Sequence, residues 1–124
     1  MLKIDVHTHI MPDRIPNWSK EFGYDGFIHL DHHRPGFARM MQGDRFFREI
    51  EENCWNPILR IEDYAKYQTQ VQVICTIPVL FAYWAKPEDG LKVSRFLNDH
   101  IAAIFQSHPK NYVGLATLPM QDVD

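Results

Sequence analysis

The sequence predicts an α/β fold in which strands and helices alternate as two successive βαβ units around a parallel sheet. Three observations lead there. Residues 2–9 alternate apolar and polar with the period of a strand. Residues 71–77 form a nearly continuous β-branched run, the composition of a strand covered on both faces of a parallel sheet. Two further segments open at prolines and carry helical apolar spacing.

In the first strand Leu2, Ile4 and Val6 fall on one face and Lys3, Asp5, His7 and His9 on the other. That division suits a strand whose apolar side meets helices and whose polar side lines the inside of a barrel. From residue 10 to residue 56 the periodicity lapses amid Pro12, Pro16, Gly23, Gly26, Pro35, Gly36 and Gly43, yet aromatic residues such as Trp18, Phe27 and Phe37 recur. A linker has no core in which to bury aromatics, so this stretch reads as a packed insertion, with a short strand at 26–30. Asn56 before Pro57 is a side-chain cap followed by a residue whose missing N–H costs nothing at the first helical position, and predicts a helix to about residue 67. Pro78 ends the strand at 71–77. Pro87 opens a second helix, in which Leu91, Val93, Phe96, Leu97, Ile101, Ile104 and Phe105 approximate helical spacing, that runs until His108 and Pro109. Residues 112–118 read as the last strand, closed by Pro119.

Composition narrows the function classes. The chain has 124 residues, 45% of them hydrophobic, enough for one packed domain. Thirteen Lys and Arg against 16 Asp and Glu leave a net charge of −3, without the basic excess that tracks phosphates, so nucleic acid is not an expected partner. No apolar run approaches the roughly 20 residues of a bilayer span. Nor does the start of the chain resemble a signal peptide, and the expected location is the cytosol. Cys54 and Cys75 lack C-x-x-C spacing and suit buried thiols in a reducing compartment. The length falls short of the roughly 200 residues of a complete eight-stranded α/β barrel.

His7-Thr8-His9 is the sharpest chemical feature. Residues i and i+2 of a strand project from one face about 6.6 Å apart along the backbone, so two imidazoles at a strand's carboxyl end can converge on one metal ion. The same pair can also be two hydrogen-bonded surface histidines. His29, His32 and His33 follow no closed zinc pattern and read as structural or pocket-lining groups. Trp55, Tyr83 and Trp84 could stack on a flat substrate or fill core volume. Asp5 could orient a histidine or be a polar strand residue.

Ile4-Asp5-Val6-His7-Thr8-His9-Ile10 with Pro12 resembles the first-strand motif of the metal-dependent amidohydrolase superfamily. More closely, the chain is similar to the amino-terminal part of the aminocarboxymuconate semialdehyde decarboxylase family. The likeness runs through Phe22-Gly23-Tyr24, His32-His33, Phe47-Arg48, Asn53-Cys54-Trp55-Asn56-Pro57, Trp84-Ala85-Lys86-Pro87-Glu88-Asp89 and Leu118-Pro119-Met120-Gln121. The resemblance implies the first three strands and two helices of a metal-dependent-hydrolase-type (β/α)8 TIM barrel, with residues 10–56 as an irregular β-containing insertion. It implies a zinc-dependent, non-oxidative decarboxylase of 2-amino-3-carboxymuconate semialdehyde in the kynurenine branch of tryptophan degradation, limiting quinolinate formation. His7 and His9 would be zinc ligands and Arg48 would hold a substrate carboxylate. A homodimer is the expected assembly of the full-length protein. Further ligands and the general base would come from later strands, so the chain is expected to be a fragment ending at Asp124 and inactive alone. Two places depart from the family pattern: Gln42 stands where relatives carry a lysine, and Tyr64-Ala65-Lys66-Tyr67-Gln68-Thr69-Gln70 lacks the acidic residue and glycine usual before the second strand, so that a left-handed cap at position 68 would fall on a glutamine. H-x-H alone does not choose the reaction. A hydrolase of another substrate, or a truncated non-catalytic isoform that binds full-length subunits through its sheet edge, remains an alternative.

Overall fold

The computed structural model describes residues 1–123; Asp124, the end of the expected domain, lies outside the described residues. Its elements are β1 (Ile4–Ile10), α1 (Trp18–Phe22), β2 (Ile28–Arg34), β3 (Phe37–Gln42), β4 (Arg45–Glu51), α2 (Pro57–Ala65), β5 (Val71–Thr76), α3 (Pro87–Ser107) and β6 (Tyr112–Gly114). Two sheets form: a parallel one in the order β1-β5-β6 and an antiparallel one in the order β2-β3-β4. The expected α/β class and parallel sheet are therefore present.

Both helix starts behave as their capping residues dictate. Asn56 Oδ1 accepts from the backbone N–H groups of Ile58 and Leu59, with Pro57 in the first turn of α2. Pro87 likewise opens α3, where Glu88 and Asp89 complement the helix dipole. α2 stops at Ala65, short of residue 67, and the chain leaves it through Gln68 at φ 58°. A left-handed conformation costs a residue with a β-carbon about 1 kcal/mol relative to glycine. Gln68→Gly is therefore expected to stabilise the chain by about 1 kcal/mol, read as a higher urea midpoint at unchanged slope; a lower midpoint would contradict this.

The insertion is more regular than its sequence suggests. Instead of one short strand at 26–30 it contains three strands, joined by a Pro35-Gly36 turn with Gly36 at φ 76° and a Gly43-Asp44 turn with Gly43 at φ 59°. Proline then glycine is the chemistry of a type II turn, and glycine at the first of two central residues that of a II′ hairpin. The aromatics do pack: Trp18 stacks on Phe22 at 5.3 Å between ring centroids, and Phe27 meets Trp84 at 4.7 Å. This cluster rests on Val93 and Leu97 of α3. One turn further on, Ile101 and Ile104 of the same helix cover Ile10, Ile74 and Tyr112 of the parallel sheet. α3 thus joins the two halves of the core.

Three expectations about the parallel sheet need correction. First, β5 is not covered on both faces: Gln72, Ile74 and Thr76 are buried while Val71, Val73 and Cys75 are half-exposed, because the helices cover one side only. Second, β6 is three residues long, not seven, and Leu115 adds one more bond to Ile74 O. Third, the two faces of β1 are not those of a regular strand. Asp5 pairs with Gln72 but Thr8 pairs with Ile74, so Val6 and His7 together oppose Val73. A one-residue shift exchanges the faces of everything beyond it. Asp5 consequently shares the helix side with Thr8 and Ile10, and Leu2, Ile4 and Val6 are exposed instead of meeting helices.

A candidate metal and carboxylate site

His7 and His9 lie toward the carboxyl end of β1, as expected, with ring centroids 5.2 Å apart in an edge-on arrangement. His7 is exposed and His9 half-buried. The register shift places them. His7 N–H turns back to donate to Asp5 Oδ1 at 3.0 Å, a local side-chain bond that replaces a ladder bond at the shift. Asp5 therefore holds the backbone of His7, not an imidazole; its other oxygen accepts from Tyr64 OH at 3.0 Å.

Beneath the histidines runs a buried polar network that sequence reasoning missed. Arg60 of α2 is only 7% exposed, and its Nη2 donates to Thr8 Oγ1, the residue between the histidines, and to Gln72 Oε1 at 3.0 Å. Its Nη1 donates to Asn53 O at 3.0 Å. Tyr64, one helical turn on, reaches Thr8 Oγ1 at 3.2 Å. The signal was the pair Arg60 and Tyr64 at i and i+4 on a helix face that should have been apolar. Burying a guanidinium against neutral acceptors is justified by its five fixed donors, which tie α2, β1 and β5 together.

Cys75 was also missed. It pairs in register with His9, and its Sγ lies 3.1 Å from His9 Nδ1. Burial pushes the thiols of both Cys75 and Cys54 above their ordinary range, which keeps them protonated at neutral pH. Neither is fully buried.

Arg48 lies on β4 opposite Met40, and next to it Phe47 is an extra residue in the β3–β4 ladder. Such bulges bend a strand and re-aim neighbouring side chains. Arg48, Phe47 and Met40 line a cavity of about 280 Å³ together with His9, Ile10 and Ile77, the last two at the carboxyl ends of β1 and β5. Residues 39 positions apart in sequence, His9 and Arg48, so meet at one apolar-walled cavity under the antiparallel sheet.

The remaining candidates lie elsewhere. Gln42 donates to Gly26 O at 2.9 Å and does not line this cavity. His32 is bound to Asp13 O and sits edge-on to Trp55, while His33 is 2.9 Å from Glu49. The hydrogen bond from Arg34, more than His33, holds the Glu49 carboxyl below its usual range. Trp84 packs on Phe27 and Tyr83 on Phe81, away from His9, so neither supplies a stacking wall.

The donor set is a test of metal chemistry. Zinc in catalytic sites takes three protein ligands, commonly imidazoles and carboxylates, plus water. Among the described residues no group of three His, Cys, Asp or Glu side chains is placed to hold an ion. The two imidazoles are the right donors at the right end of the sheet, and fit a metal as part of a larger set.

The chain is 49% identical over 120 residues to 2-amino-3-carboxymuconate-6-semialdehyde decarboxylase of Dictyostelium discoideum, across 97% of its own length and 33% of that protein. The decarboxylase of the same name in Caenorhabditis elegans is 46% identical over 121 residues, across 98% of this chain and 30% of that one. A third, from Sus scrofa, matches at 43% over 51 residues. The chain is a homologue of these decarboxylases. It spans about a third of the length of the curated relatives it matches. No protein-family model matches it. Among solved structures, Metarhizium anisopliae IDCase in its apo form aligns with a TM-score of 0.69 over 96% of this chain and 35% of that one. At 14% identity that likeness speaks for the fold alone. No helix of the described residues is long and apolar enough to cross a membrane.

Proposed function

We propose that this chain carries part of the active site of a zinc-dependent, non-oxidative decarboxylase of 2-amino-3-carboxymuconate semialdehyde. The observation that carries the reading is the meeting of His9 and Arg48 at one cavity. In this reading His7 and His9 hold the ion through ring nitrogens, and further ligands complete the set. Zinc, when bound, supplies a water activated near neutral pH. Arg48 presents its paired donors to a carboxylate of the substrate, as guanidinium does better than ammonium. The apolar walls from Met40, Ile50 and Val79 exclude bulk water and strengthen that attraction. Arg60, through Thr8, keeps the segment between the histidines in place.

The same reading makes residues 1–124 the first part of one (β/α)8 barrel domain, with β1, β5 and β6 as its first three strands and 10–56 as its insertion. It places the chemistry in the cytosol, in the kynurenine branch of tryptophan degradation where it limits quinolinate formation, in a homodimer of the full-length protein. A second reading is favoured by the outer edges of β1 and β6, unpaired among the described residues, and by the exposed Ile4, Val6 and Val113 on those strands: a non-catalytic chain that adds its sheet to full-length subunits. Co-purification with the long form would distinguish it.

The direct test is a chimera in which this chain replaces the matching third of the Dictyostelium relative. It is expected to release carbon dioxide from the semialdehyde. Arg48→Met in the chimera should lower kcat/KM at least 100-fold, the loss of a charge-assisted carboxylate pair of about 3 kcal/mol. A folded, metal-loaded chimera without turnover, or one indifferent to Arg48→Met, would overturn the assignment.

A further inference from the structure

We propose that Cys75 is a positioning residue for His9: its sulfur accepts the His9 Nδ1–H and so leaves Nε2 as the ring's free donor for a metal. This rests on the reading of His9 as a ligand. The two residues are register partners on neighbouring parallel strands, so thiol and ring emerge side by side on the open face of the sheet. Sγ lies 3.1 Å from Nδ1 on one side and 3.7 Å from Thr8 O on the other.

The carbonyl favours one direction. Thr8 O can only accept, so a thiol proton turned toward it leaves the sulfur a lone pair to present to Nδ1. A lone pair there calls for a proton on the ring nitrogen. The chain then runs from His9 Nδ1–H to Cys75 Sγ, and from Cys75 S–H to Thr8 O. Neutral imidazole carries one proton, and with Nδ1 protonated the lone pair of Nε2 is free. The opposite direction, S–H donating to Nδ1, would put the ring proton on Nε2 and block that nitrogen. Groups that hold the second nitrogen of a ligand histidine in this way fix both its tautomer and its orientation. Thr8 O belongs to the residue whose hydroxyl Arg60 already anchors, so the acceptor is itself held in place.

The tautomer is measurable on the chain without metal, from two-bond 1H–15N correlations of the imidazole at pH 8.5, where neutral rings predominate. The wild-type chain is expected to show His9 in the Nδ1–H form. Cys75→Ser retains both a donor and an acceptor and should keep that form, whereas Cys75→Ala should move His9 toward Nε2–H. Zinc affinity followed on the His7 ring should fall about tenfold in Cys75→Ala and be restored in Cys75→Ser. A wild-type His9 in the Nε2–H form, or a tautomer unmoved by Cys75→Ala, would overturn the proposal. His9→Ala separates the two claims: if it leaves zinc affinity unchanged, the ligand reading fails, while the tautomer result stands or falls on its own.

Discussion

Replacing Arg60 with methionine is expected to lower stability by about 3 kcal/mol, even though the two side chains have similar volume and little cavity is left behind. The guanidinium serves three buried or half-buried acceptors, Thr8 Oγ1, Gln72 Oε1 and Asn53 O. Each acceptor stranded away from water costs about 1 kcal/mol or more. Working against this, methionine relieves the desolvation of a cation whose Nε is buried without a partner. The acceptor losses outweigh that relief because Nη1 and Nη2 together make three hydrogen bonds, and the Tyr64 hydroxyl that also reaches Thr8 Oγ1 serves one of the three acceptors. Arg60→Lys should recover little of the loss, since a single ammonium cannot span all three. A urea midpoint within about 0.5 kcal/mol of wild type would contradict the account. Exchange protection should fall first around Thr8, at the join between α2 and β1, before it falls in α3.

Gly26→Ala is the second large effect, at about 2–4 kcal/mol. Gly26 has φ 120°, a region that residues with a β-carbon rarely enter, and a β-carbon there would lie 2.5 Å from Trp84 Cη2 and 2.9 Å from Cζ2. Backbone strain of this kind costs of order 1–3 kcal/mol, and displacing the half-exposed indole from Phe27 and Tyr24 adds about 1 kcal/mol of lost ring contact. Phe27 and Tyr24 lie against the indole at 4.7 and 6.1 Å between centroids, so with Trp84 54% exposed it can move only toward solvent, giving up those contacts. In a double-mutant cycle Trp84→Leu should remove the steric part and leave the backbone part. If Gly26→Ala alone melts with the wild type, the close approach of indole and backbone is not what holds the insertion against the 83–85 turn.

What the sequence discloses of this fold follows from where its physics is local. The cap at Asn56 and the proline at the first position of α3 act within one turn, and both helices begin where they stand. The β-branched run of β5 is legible for the same reason. β2, β3 and β4 are not legible by periodicity, because alternation needs one buried and one wet face, and nearly every residue of β4 is exposed. Their turns, Pro35-Gly36 and Gly43-Asp44, were the better signal. The inversion of Leu2, Ile4 and Val6 arises from a register shift between strands 60 or more residues apart, which nothing in the local sequence marks. The site divides in the same way. His7 and His9 are readable from spacing, and Arg48 through the decarboxylase resemblance. Cys75 beside His9 and Arg60 beneath Thr8 depend on tertiary register, and only the folded chain brings them together.

In the proposed reading His7 and His9 act as a pair of metal donors, and His9 also lines the Arg48 cavity. The most direct measurement is a zinc titration of the 124-residue chain followed on the imidazole resonances of all seven histidines. The account predicts one saturable event that moves the rings of His7 and His9 together and disappears in the His7→Ala/His9→Ala variant. Zinc that perturbs His29, His32 and His33 while leaving His7 and His9 unmoved would contradict it.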